Sequence, residues 1–179
     1  MKPLYGFVGV LIVTILLSAA AIAQNKFVGA KFCGTCHKSG KAGTAYLVWE
    51  KSAHAKAYET LLGEKAKKVA QEKGLKKPPH ESEDCLKCHV TGGGAAENIE
   101  ATFKIEDGVS CEACHGAASA YKSLHNKGNL EKSKAAGLIE GDKTGKACEK
   151  CHNVDSPSFS GFDFKEKWAK IAHSLPVKK

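Results

Sequence analysis

Apolar residues in this chain come in short bursts separated by long lysine- and glycine-containing stretches, with one continuous exception at the start. Residues 7–17 form a nearly unbroken apolar run behind Lys2, and Ala21-Ile22-Ala23 offers a small-residue cleavage site. That order is the pattern of a secretory signal peptide, so residues 1–23 are read as signal and 24–179 as a single folded domain. If the segment stayed uncleaved, residues 4–23 would be nearly long enough to span a bilayer; no further span follows. Residues 44–62 place Leu47, His54, Tyr58 and Leu61 on one face at helical spacing, which predicts an amphipathic helix. A lysine-rich helix over 63–77 is expected next, and Pro78-Pro79 stops it. Tyr121 and His125, four residues apart, sit on a short predicted helix ended by Gly128. Residues 164–175 align Phe164, Trp168, Ile171, Ala172 and Leu175 on one stripe and leave His173 off its centre. Residues 99–105 alternate enough for a short strand or hairpin, and 130–146 read as polar loop or irregular helix. The expected class is mainly α with extensive loops.

The chemistry lies between these bursts. All eight cysteines of the 179-residue chain fall in four copies of Cys-x-x-Cys-His. They are Cys33-Gly34-Thr35-Cys36-His37, Cys85-Leu86-Lys87-Cys88-His89, Cys111-Glu112-Ala113-Cys114-His115 and Cys148-Glu149-Lys150-Cys151-His152. This is the attachment signature of c-type haem: two thiols bond the haem vinyl groups and the adjacent histidine becomes the proximal iron ligand. Zinc needs no histidine directly after each second cysteine. A disulfide framework of four near-identical short loops would be odd. The expectation is a small multihaem cytochrome c organised around four covalently bound haem c groups. Ser82 and Ser110 precede the second and third motifs as helix-start residues, so each motif is expected on a short helix.

The second axial ligand separates electron transfer from catalysis. The one methionine is Met1, so methionine ligation is excluded from the mature protein. Four of the eight histidines are proximal; His54, His80, His125 and His173 remain, one for each open position. That match favours bis-histidine iron. His54 lies on an apolar helical face, His125 on a short helix, His173 on a helix flank and His80 on the turn after Pro79.

The formal charge of +8 changes the picture only slightly. Loss of Lys2 and the addition of haem propionates and ferric centres bring the holoprotein to about +3 oxidised and about −1 reduced. All 27 basic residues are lysine, which gives a diffuse, solvated positive surface rather than bidentate phosphate clamps. Nucleic-acid binding is therefore not expected; steering towards a redox partner protein with an acidic docking surface is.

Several segments resemble the cytochrome c-554 family. They are Cys33 to Lys38, Ser52-Ala53-His54-Ala55-Lys56-Ala57, Asp84 to Val90, and Gly108-Val109-Ser110-Cys111-Glu112 through Cys114-His115-Gly116. The type member carries electrons from hydroxylamine oxidoreductase. The resemblance implies axial pairs of His37 with His125, His152 with His54, and His115 with His173, with haems in close stacked or perpendicular pairs. It also implies an open face on the second haem. His80 has no evident counterpart in that pattern and is the candidate to close the His89 haem.

The leading expectation is an exported electron-transfer protein, periplasmic or extracellular, and not an enzyme. A second reading is a head-to-tail filament in which His80 or His173 ligates a haem of a neighbouring copy, as in polymerising tetrahaem cytochromes of similar size. A third is a reductase of a small nitrogen compound at an open His89 haem.

Overall fold

Glycines and lysine runs interrupt every apolar burst, and the helices that form are correspondingly short. The computed structural model describes residues 24–39, 42–125 and 128–173; the expected signal segment, residues 1–23, lies outside them. The elements are α1 (Ala30–His37), α2 (Ala45–Glu50), α3 (Ala57–Thr60), α4 (Glu64–Glu72), α5 (Glu83–His89), α6 (Cys111–His115), α7 (Lys122–His125), α8 (Leu130–Ala135), α9 (Lys146–Glu149) and α10 (Phe164–Ile171). Single 3-10 turns lie between them, including Pro79–Glu81 and Ile105–Asp107. The fold is mainly α with extensive loops. None of the helices among the described residues is long and apolar enough to cross a membrane.

Where the expected long helix over 44–62 should run, the chain breaks. α2 stops at Glu50, and residues 51–56 continue as tight turns in which Ser52, Lys56 and Ala57 each donate to a carbonyl three residues back. The cause is tertiary. The carbonyl of His54 accepts from Val109 N–H at 3.0 Å, a group far away in sequence, and from Ala57 N–H at 3.2 Å. Helix propensity is a weak preference that such a contact overrides. The lysine-rich helix is shorter than expected, covering Glu64–Glu72. The strand expected over 99–105 is reduced to one parallel bridge, Ile99 with Phe27, in which Phe27 N–H donates to Asn98 and Glu100 N–H to Phe27.

Two small apolar clusters hold the described chain together. Leu61, Leu86, Val90 and Phe103 form one, flanked by Phe27, Tyr58 and Ile105; Val28, Ala118 and Tyr121 form the other, flanked by Phe32 and Leu138. Both are modest for a chain of this length. A cavity of about 1650 Å³, counting the space open to solvent at its mouth, is lined by His37, His54, His115, His125 and His173.

Candidate functional site

Each attachment motif is carried by a helix or its exit. The first closes α1, the second closes α5, the third makes up α6, and the fourth starts in α9 and continues in the following turn. Gly34, inside the first motif, lets α1 approach α2: a methyl group there would stand 2.7 Å from the Tyr46 ring.

Three of the four motif histidines are oriented by main-chain carbonyls. Nδ1–H of His37 donates to Ala42 at 2.8 Å, that of His89 to Ala57 at 2.7 Å, and that of His115 to Ile139 at 2.8 Å. A carbonyl can only accept, so each contact fixes the proton on Nδ1 and leaves Nε2 with its lone pair free for a metal. His152 is held differently, its ring stacked on Phe162 at 4.8 Å between centroids and 15° between planes.

Three of the four remaining histidines face motif histidines. His125 faces His37 with centroids 5.9 Å apart, His54 faces His152 at 6.0 Å, and His173 faces His115 at 5.9 Å. A metal–imidazole bond of about 2 Å on each side places two ligating ring centres about 6 Å apart. The gaps therefore fit one iron apiece. Burial lowers the pKa of His54, His125, His115 and His152 below the usual imidazole value, which favours the neutral form a metal needs.

His173 reaches its place because α10 ends earlier than the apolar stripe predicts. The helix stops at Ile171 and Ala172 is extended (φ −60°, ψ 136°), so His173 leaves the helical register. Leu175 and Pro176 lie outside the described residues. His80 is not brought to the second motif in this way. It sits on the Pro79–Glu81 turn, its Nε2 3.5 Å from a Glu81 carboxylate oxygen. Among the described residues no second imidazole stands against His89 at such a separation. Instead His89 Nδ1 also lies 3.2 Å from the Thr60 hydroxyl.

No disulfide joins the eight cysteines. Among the described residues no group of three or more His, Cys, Asp or Glu is gathered to hold a metal directly. Paired axial imidazoles beside two thiols suit a metal carried in a porphyrin, where the protein contributes two ligands rather than four. The motifs also abut one another. Cys33 stands beside Cys111 and Cys151 beside Cys88, which makes the first and third motifs neighbours, and likewise the second and fourth.

Two carboxylates not singled out as site residues by the sequence support this arrangement. Glu112, 2% exposed, accepts from Val28 N–H at 2.9 and 3.0 Å, Gly29 N–H at 2.8 Å and Ala118 N–H at 2.8 Å. It staples the N-terminal segment to the third motif. Burial pushes its carboxyl pKa up while these donors pull it back. Asp142 accepts from Thr144 N–H at 2.7 Å, the Thr144 hydroxyl at 2.6 Å and Ala147 N–H at 2.6 Å, fastening the entry to α9. These bonds lower its pKa from 3.8 to about 2. A depressed acid contributes stability that is present above its unfolded value and lost as pH falls through the folded one. Asp142→Ala is therefore expected to remove part of the acid-unfolding response between pH 3.8 and about 2, read from Soret absorbance in an acid titration of the holoprotein; an unchanged acid limb contradicts this.

Comparison with known proteins gives concordant matches. A family described as cytochrome c554 and c-prime matches residues 32–116. Cytochrome c-554 of Nitrosomonas europaea is 33% identical over 127 residues, an alignment covering 68% of this chain and 52% of that protein. The chain thus spans about half the length of the curated relative it matches. The solved reduced-state structure of cytochrome c554 from Nitrosomonas europaea aligns with a TM-score of 0.54 at 26% identity, covering 85% of this chain and 80% of that one.

Proposed function

The chain belongs to the cytochrome c554 family of tetrahaem c proteins, and from that premise we propose that it is an exported electron carrier. In this reading residues 1–23 are a signal peptide and residues 24–179 one domain in the periplasm or outside the cell. Haem iron supplies a one-electron couple at each of the four attachment sites. The chain's own part is to hold each iron and to bring the sites together. Eight cysteines tether the four groups. The pairs His37–His125, His54–His152 and His115–His173 close both axial positions of three irons. The observation that carries this reading is the separation of 5.9–6.0 Å in each pair. A six-coordinate iron has no position for substrate, so these three sites exchange electrons without binding one. His173 is met by His115 of the same chain, which favours ligation within one copy over a head-to-tail filament.

An exchangeable ligand position on the His89 haem is a second reading, carried by the location of His80 beside Glu81. It leaves room for reductase chemistry on a small nitrogen compound at that one site. Lysines scattered over the surface suit docking to an acidic redox partner. A reductive titration tests the main proposal. The purified protein should take up about four electrons per chain and pass them to an external one-electron acceptor within the mixing time of a stopped-flow instrument. Haem that is reduced chemically but cannot be reoxidised by any protein or small acceptor would contradict it.

A further inference from the structure

We propose that the Gly108-Val109 backbone is the seat that positions His54, so that the approach segment of the third motif sets the distal ligand of the fourth haem. Gly108 closes the Ile105–Asp107 turn with φ 61° and ψ −131°, a conformation L side chains rarely adopt. A methyl group on it would stand 2.7 Å from the His54 carbonyl oxygen and 3.2 Å from the main-chain nitrogens of both Ala57 and Tyr58. The glycine thus combines a positive φ with direct contact against the ligand's own backbone.

Val109 completes the seat. Its N–H donates to the His54 carbonyl at 3.0 Å, and its carbonyl accepts from the Trp49 indole N–H at 2.9 Å. The segment carrying His54 is therefore gripped on both sides of the break in its helix. The seat is itself fixed from below. Gly108 C=O accepts from Thr91 N–H at 2.9 Å and from the Thr91 hydroxyl at 3.2 Å, while Ser110 N–H donates to that hydroxyl at 2.7 Å. Thr91 is 1% and Ser110 3% exposed, so water does not compete for these bonds. Thr91 follows the second motif by two residues, and Ser110 immediately precedes the third. The position of His54 is consequently determined by the junction of two other haem segments. Without that junction, the carbonyl of His54 would be free to rejoin a regular helix and rotate the imidazole away from His152.

Gly108 is thus a positioning residue, and the inference rests on the reading of His54 as an axial ligand. The test is the holoprotein carrying Gly108→Ala, alongside His54→Ala and the double variant, read by ferric spin state and carbon monoxide binding. Gly108→Ala is expected to open one haem more than wild type, the same one that His54→Ala opens, and the double variant to open no further haem. Unchanged ligation in Gly108→Ala, or loss of ligation at several haems together, overturns the seat. If His54→Ala itself changes nothing, the assignment of His54 has failed, and the proposal falls with it for that separate reason. If Gly108→Ala does not accumulate, Trp49→Phe carries the test by removing only the indole N–H. It should accelerate carbon monoxide binding at the fourth haem about tenfold and leave the others unchanged; an unaltered rate overturns the proposal.

Discussion

Glu112→Leu is expected to abolish or severely reduce accumulation of the holoprotein. Leucine keeps the bulk of the side chain but accepts no hydrogen bond, leaving Val28, Gly29 and Ala118 N–H groups without a partner in the interior. A buried donor without a partner costs about 1–3 kcal/mol. Removing the carboxylate also relieves its own desolvation, so the net loss is expected to be about 3 kcal/mol or more, a large share of the roughly 5–15 kcal/mol that holds a domain folded. Glu112→Gln should fall between, because its amide offers one oxygen to the donors and turns an NH₂ group towards the rest. Urea unfolding of the holoprotein, followed by the Soret band, orders the three proteins. Equal midpoints for wild type and Glu112→Leu would show that the staple contributes nothing.

The second large effect is expected on the first haem. His125 is carried by α7, which is braced from the third motif: Lys122 N–H donates to Ala118, His125 N–H to Tyr121 at 2.8 Å, and the Tyr121 hydroxyl to Gly116 at 2.9 Å. His125→Ala removes the imidazole facing His37 and leaves this scaffold in place. One low-spin haem should become high-spin, and the carbon monoxide bound by the reduced protein should rise by about one equivalent per chain. Loss of a donor imidazole weakens the ferric state, so the midpoint potential of that haem should move upward by on the order of 0.1 V. Optical redox titration checks the shift; a spectrum and potential identical to wild type would remove His125 from the ligand set.

These effects divide what could be read in the sequence from what could not. The attachment sites were legible because covalent haem attachment demands a contiguous motif, and every cysteine is used by it. The count of four remaining histidines for four irons was legible, but not their placement: His54, His125 and His173 face motif histidines, whereas His80 lies beside Glu81. His54 was expected on a continuous helical face, whereas a carbonyl contact from Val109 breaks that helix. His173 looked misdirected only if the helix continued to residue 175; it ends at Ile171. Glu112 shows the limit most clearly. Glu149 occupies the same place in the fourth motif yet is exposed, while Glu112 is buried under the N-terminal segment. The local pattern is the same in both, and only the chain that folds over it differs. Gly108 and Gly116 on either side of the third motif were the available signal that backbone packs tightly there.

Low-temperature electron paramagnetic resonance of the ferric holoprotein tests the central claim most directly, because signal shape reports how the two imidazole planes lie across each iron. Nearly parallel planes separate two iron orbitals that crossed planes leave close in energy. The angles are 21° for His37–His125, 65° for His54–His152 and 57° for His115–His173. The account predicts one ordinary rhombic low-spin signal, two strongly anisotropic low-spin signals, and a high-spin signal from the His89 haem. Four high-spin haems, or low-spin signals that persist unchanged when His54, His125 and His173 are each replaced, would contradict it.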